Sequence, residues 1–145
     1  MKKFKIILFY VLSFTWGIIM SLIGAIVFLV LMCMGYKPKK YKHLYYIEVG
    51  EHWGGMELGC FFLTDKTPTE HTKSHEAGHG IQNIIFGPLM PFIVCIPSAI
   101  RYWYRIYSKK PQPPYDSIWF EGWATKLGEK IDDIFKSDII TKGEI

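Results

Sequence analysis

From Ile6 to Met34 the chain carries no charged residue, and Lys2, Lys3 and Lys5 stand directly before that apolar run. About 20 consecutive apolar residues suffice to cross a hydrocarbon core, so the run predicts an N-terminal transmembrane helix with tilt or overhang. A cleaved signal peptide has an apolar region of only ~7 to 15 residues followed by a small-residue cleavage site. Met34-Gly35-Tyr36-Lys37 offers no such site, so the expectation is a retained anchor over residues 1–36 and a separate domain over residues 37–145. Gly17, Ser21, Gly24 and Ala25 recur at helical spacing and could form a close-packing face, but small residues are common in such helices and a plain anchor is the favoured reading.

Beyond Lys37 the periodicity shortens. Leu44 to Val49 and Glu57 to Thr64 are rich in aromatic and β-branched residues and predict two strands, joined as a hairpin through the glycine-bearing segment Gly50 to Gly55. A helix is then expected with Thr67 as N-cap, Pro68 at its first position and Glu70 closing a capping box. It should run to about Phe86, where Gly87-Pro88 stops it. Leu89 to Ile100 is apolar but interrupted by Pro91 and Pro97 and shorter than a span, which predicts a re-entrant, interfacial or buried segment. Arg101 to Lys110 mixes aromatics with cations as a headgroup layer demands, a solvated helix end being the plainer reading. Pro111 to Pro114 is a stiff connector. After it Asp116 or Ser117 can cap a last helix with an apolar stripe at Phe120, Trp123, Ala124, Leu127, Ile131, Ile134 and Phe135. The fold class is α+β.

Composition sharpens the picture. Half of the 145 residues are hydrophobic and 17% are aromatic, more than a soluble domain of this size needs for its core. The net charge is +4, with cations in blocks beside apolar segments, so the expected acidic partner is lipid headgroup; no nucleic-acid motif is present. Cys33, Cys60 and Cys95 are odd in number and far apart, and suggest neither a disulfide framework nor a nucleophile.

The expected chemistry lies in the middle of the capped helix. His75 and His79 are four residues apart, so their imidazoles share one face and can chelate one ion. Glu76, one residue after the first, is rotated to flank that ion and to take a proton from a water it binds. The chance of such a spacing arising somewhere from this composition is roughly one in a hundred. His71 lies one turn earlier. Eight residues of helix separate it from His79 by about 12 Å, which excludes a shared ion, so His71 reads as a substrate-side polar group or an exposed first-turn histidine. A catalytic zinc has three protein ligands, and Glu121, beside the stripe of the last helix, is the candidate third. Gln82, three residues after His79, can hydrogen-bond a ligand imidazole. The opposing readings are a helix with ordinary histidines and a solvent-side Glu121.

His75-Glu76-Ala77-Gly78-His79-Gly80-Ile81-Gln82, together with Glu121-Gly122-Trp123-Ala124, resembles the gluzincin group of zinc metallopeptidases. More closely it resembles a family of small bacterial membrane proteins in which a Gly-Trp-Gly-like hairpin, an H-E-x-G-H-x-x-Q helix, Gly-Pro-Leu and Pro-Ser stretches and a Glu-x-Trp-Ala helix follow in order. The counterparts here are Trp53-Gly54-Gly55, His75 to Gln82, Gly87-Pro88-Leu89, Pro97-Ser98 and Glu121 to Ala124. The resemblance implies a zincin-like domain with Zn²⁺ on His75, His79 and Glu121, and Glu76 as general base. It also implies that the strand near Glu57 to Thr64 takes an extended peptide by edge pairing. Where gluzincins commonly place an aspartate four residues after the third ligand, this chain has Thr125, which carries no charge. Tyr115, His71 and Arg101 are candidates for stabilising an oxyanion.

If Glu121 shares an ion with the histidines, the segment 89–100 must turn back rather than cross. Eight cationic residues then lie on the domain side of the anchor (Lys37, Lys39, Lys40, Lys42, Arg101, Arg105, Lys109 and Lys110) against three before it, which puts the domain on the cytoplasmic side of a bacterial inner membrane. The expected function is a membrane-anchored zinc metallopeptidase acting on peptides or membrane-proximal protein segments. The rival is a non-catalytic membrane protein whose zinc site is structural or degenerate and which serves as a binding module.

Overall fold

A computed structural model describes residues 2–141, and within them the side chains of residues 3–136. The architecture is α+β. In chain order the elements are α1 (Lys2–Ser13), α2 (Ile18–Cys33), β1 (Lys39–Tyr41), β2 (Leu44–Glu48), β3 (Gly55–Leu58), β4 (Phe61–Thr64), α3 (Glu70–Phe86), α4 (Ile96–Tyr107) and α5 (Trp119–Thr141). Short 3₁₀ turns at Gly87–Leu89 and Tyr115–Ser117 and a π turn at Pro91–Cys95 complete the path.

The apolar run at the start is two helices, bent by 91° between α1 and α2. Among the described residues no single helix is long and apolar enough to cross a membrane; α1 with α2, and α3 with the Pro91–Tyr107 segment, pass that test only as bent pairs, the second at 114°. The bend at Gly17 is held from α3, where Asn83 Nδ2 donates to the Gly17 carbonyl at 3.2 Å. A Cβ at Gly17 would stand 2.5 Å from that amide, so only glycine lets the chain come this close. Here the plain-anchor reading gives way: the small residues form a face that packs on the rest of the protein, with Gly24 against the Leu58 carbonyl and Ser21 against Gly59.

The expected hairpin is not formed. Leu44–Glu48 pairs in parallel with Phe61–Thr64, and the sheet order is β1-β2-β4-β3, with β3 antiparallel to β4 and β1 antiparallel to β2. What read as one strand from Glu57 to Thr64 is itself folded back at Gly59, whose φ of +76° breaks the extended run. The Glu57 carboxylate accepts the Gly59 N–H and closes that turn. β3 is thus an edge strand, beside α3.

α3 begins two residues later than the capping box predicts. Thr69, in extended conformation, is the N-cap, and its hydroxyl accepts the Thr72 N–H at 3.0 Å. Its end agrees with expectation, with Gly87 at a φ of +54°. Asp116 and Ser117 lie in the 3₁₀ turn rather than at the cap of α5, which starts at Trp119. Two apolar clusters flank α3. One joins Phe9, Leu44, Phe62, Ala77 and Ile131, and the other joins Met20, Leu58, Met90, Val94 and Phe120.

Candidate metal centre

Every residue of α3 from Ser74 to Gly80 is buried, so polar side chains in that stretch must find partners inside the protein. The close partner is α5. A Cβ on Gly78 would stand 1.9 Å from the Ala124 carbonyl, and one on Gly128 2.1 Å from the Ser74 carbonyl, so the two backbones meet across glycines. This approach carries Glu121, 0% exposed, into the face that presents His75 and His79.

The three side chains converge. Glu121 Oε2 lies 3.0 Å from His75 Nε2 and 3.0 Å from His79 Nε2, and the two Nε2 atoms are 3.1 Å apart. The hydrogen bonds behind them fix which atoms carry protons. Gln82 Nε2 donates to the Phe120 carbonyl at 2.7 Å, so Gln82 Oε1, 2.7 Å from His79 Nδ1, must accept an N–H from it. Thr125 donates its single hydroxyl proton to Asp116 Oδ2 at 2.8 Å, so its oxygen accepts the His75 Nδ1–H at 2.9 Å. Both imidazoles are thereby held as Nδ1–H tautomers with bare Nε2 atoms. The other oxygen of Glu121 accepts the Ser98 hydroxyl at 2.5 Å, and Ser98 in turn lies 2.9 Å from the Tyr115 hydroxyl.

Three lone pairs therefore face one another at hydrogen-bonding distance with no proton assigned between them. Such a cluster repels itself unless a cation sits among its members. Two imidazole nitrogens and one carboxylate oxygen, buried and within 4.8 Å of one another, form a group that could hold a metal ion, and the donor set fits one. Burial alone would push the Glu121 carboxyl up. The Ser98 hydroxyl, donating to its other oxygen, favours the anionic form.

Glu76 is buried beside this cluster and faces β3. A Cβ on Gly55 would stand 2.5 Å from Glu76 Oε1, so the glycine makes room for the carboxylate. Burial pushes Glu76 up to about 7, and the charge of Glu121 reinforces the rise. A carboxyl poised there exchanges protons readily near neutrality.

Glu76, His75, His79 and Glu121 open on a cavity of about 800 Å³. Its remaining walls are largely apolar, with Met56 from β3, Met90 and Val94 from the π-turn region, and Tyr102 and Trp103 from α4. Glu57 also lines it; its Oε2 has no hydrogen-bond partner among the described residues, and burial holds its carboxyl well above the ordinary range.

The other expected residues fall at different depths. Gln82 and Thr125 touch the ligand histidines directly, as described above. His71 is exposed on the cavity rim, 3.7 Å from Asp116 Oδ2. Tyr115 lines the cavity with its hydroxyl toward Ser98. The Arg101 guanidinium is occupied by the carbonyls of Pro114 and Tyr115 and by Ser117, at 3.0 to 3.1 Å. Cys60 is buried, and burial pushes its thiol up to about 11, which leaves no thiolate for catalysis. Sequence reasoning did not assign Ser98, Asp116 or Glu57 to the site. For Ser98 the Pro97-Ser98 pair was a signal; for Asp116 and Glu57 there was none beyond their being acidic.

No protein-family model, curated protein or solved structure matches this chain. The functional reading stands on the residues of the site.

Proposed function

We propose that the chain is a membrane-associated, zinc-dependent metallopeptidase of the gluzincin type, hydrolysing peptide bonds in the cavity beside β3. The observation that carries this reading is the buried trio His75, His79 and Glu121 with the proton-exchanging Glu76 at its side. Tetrahedral zinc with nitrogen and oxygen donors at about 2.0–2.2 Å holds those donors about 3.3 Å apart, close to the 3.0 to 3.1 Å separations found here. Held by these three side chains, zinc would act as a Lewis acid that acidifies water and polarises a carbonyl.

The rest is done by the chain. Glu76, buried beside the trio, would accept a proton from the attacking water and return it to the departing amine. β3 offers the edge along which an extended substrate can align, and the apolar walls exclude bulk water and favour large apolar side chains. The rival reading, a structural or degenerate site in a binding module, keeps the trio but needs no proton transfer at Glu76.

Association with a bilayer is part of the proposal. Phe4, Ile7 and Val11 of α1, Leu22, Ile26 and Leu29 of α2, and Ile100 and Trp103 of α4 are all exposed. Apolar side chains in that number, on two helices docked to the domain through their small residues, suit a lipid surface. The excess of cations after α2 favours the cytoplasmic leaflet.

Purified full-length protein in detergent should contain about one zinc per chain, and His79→Ala should lose it. Glu76→Gln should keep the zinc and abolish cleavage of a peptide library rich in large apolar residues. Absence of zinc from the wild type removes the reading; cleavage that persists in E76Q removes Glu76 as the base. Zinc without cleavage in the wild type favours the binding module.

A further inference from the structure

Each member of the trio is backed by a two-step hydrogen-bond chain. His79 leans on Gln82 and the Phe120 carbonyl, and Glu121 on Ser98 and Tyr115. His75 leans on Thr125 and Asp116. The chains differ in what orients the middle group. An amide has distinct ends, so Gln82 can offer His79 its oxygen only while its nitrogen is on the carbonyl. A threonine hydroxyl is ambivalent: it can accept from Nδ1–H or donate to a bare Nδ1. Donation would move the imidazole proton to Nε2, the atom that faces Glu121 and His79, and would block it as a ligand.

Asp116 removes that ambivalence. An ionised carboxylate only accepts, so at 2.8 Å it takes the Thr125 proton and leaves the oxygen as an acceptor for His75. The turn that holds Asp116 is built for the position. The Arg101 guanidinium gathers the Pro114 and Tyr115 carbonyls and the Ser117 hydroxyl on one side. On the other, a Cβ on Gly122 would stand 2.7 Å from the Asp116 carbonyl, so the turn folds tightly onto the first turn of α5.

We propose that Asp116 is a positioning residue of the metal centre, acting through the Thr125 hydroxyl to hold His75 as the Nδ1–H tautomer, and that the two together do the work of a single carboxylate on that histidine. The proposal rests on the metal-binding reading, with Asp116 itself outside the trio. Its contribution is to the affinity of the site and to the proton position on His75.

The test is a double-mutant cycle on zinc affinity, measured with a chromophoric chelator as competitor on full-length protein in detergent. Thr125→Val and Asp116→Ala should each weaken zinc binding by about 10- to 100-fold. The double variant should be no weaker than T125V alone, because Asp116 has no route to His75 without the hydroxyl. Thr125→Ser, which keeps the hydroxyl, should bind as the wild type does. In the zinc-loaded protein, nitrogen-15 spectra should show His75 protonated at Nδ1 in the wild type and in T125S. Wild-type affinity in D116A, or losses that multiply in the double variant, overturns the proposal while leaving the metal site standing. A wild type that binds no zinc overturns the metal reading itself.

Discussion

α5 and the α1–α2 pair both approach α3 through glycines, yet they present opposite outer faces. At the α5 seam, Gly78 and Gly128 bring backbones into contact, and the space between carries His75, His79, Gln82, Thr125 and Glu121, each with a hydrogen-bond partner. At the other side, Gly17 and Gly24 bring α1–α2 against Asn83 and Leu58, and the outward residues are Leu22, Ile26, Leu29 and their neighbours. Among the described residues the outward side of α5 carries Lys126, Glu129, Lys130, Asp133 and Lys136, with Trp119 and Ile134 the exposed apolar ones. The same packing device thus serves one helix whose outer face is mostly charged and a helix pair whose outer face is apolar. Close approach fixes geometry; the far face decides what surrounds the molecule.

The largest effect expected from breaking this contrast is on lipid binding. Leu22→Asp combined with Ile26→Asp places two carboxylates on the outer face of α2, where burial in lipid opposes a charge by up to ~3 kcal/mol each. Flotation with vesicles of mixed neutral and anionic phospholipid should fall at least about tenfold, while Lys126→Asp with Lys130→Asp on α5 should float as the wild type does. Unchanged flotation of the α2 variant would mean that this face does not meet lipid.

The next effect is on the seam. Gly78→Ala puts a methyl group 1.9 Å from the Ala124 carbonyl, and α5 must move to admit it. Overpacking of this kind costs about 1–3 kcal/mol. Ala124 is one turn from Glu121, so zinc affinity and unfolding midpoint should fall together. Gly80→Ala is the control, because its nearest obstacle is the Gly59 carbonyl at 3.2 Å, and the better helix propensity of alanine offsets the contact. Calorimetry and chelator competition on the two variants measure the difference; equal behaviour would show that the seam yields.

These features were unequally visible in the sequence. His75, Glu76 and His79 could be placed on one face because helical periodicity is local, and Glu121 could be nominated because its helix carries an apolar stripe. Sheet pairing was not visible. β2 prefers a parallel partner beyond Gly59, and nothing within either strand states which neighbour it will meet. Hydropathy also could not show the 91° bend, because the run is uniformly apolar and the bend is imposed from Asn83, 66 residues away. Thr67 and Thr69 are equivalent as cap residues in isolation, and the Thr72 N–H selects the second. Asp116 read as a helix cap. The 3₁₀ turn instead brings it to Thr125, nine positions later, whose hydroxyl it accepts at 2.8 Å.

Glu57 joins the two regions, since the turn it closes at Gly59 is where Ser21 of α2 meets the domain and its side chain lines the same cavity as Glu76. Burial raises its carboxyl well above the ordinary value; the Gly59 N–H opposes that rise and the charge of Glu76 adds to it. A folded-state pKa above the unfolded value of about 4.3 means that the native state holds the proton longer. Below the unfolded value both states are neutral and nothing is lost. As pH climbs from there to the folded value, stability declines, and beyond it the loss is complete. Glu57→Gln keeps an oxygen for the Gly59 N–H and removes the titration. With zinc stripped by chelator, so that its own linkage adds no slope, E57Q should melt about 3 °C above the wild type at pH 8 and level with it at pH 4. A wild-type slope retained in E57Q would mean that the carboxyl at this junction is already solvated in the native state, and that the α2 contact at Gly59 opens to water where the α5 seam does not.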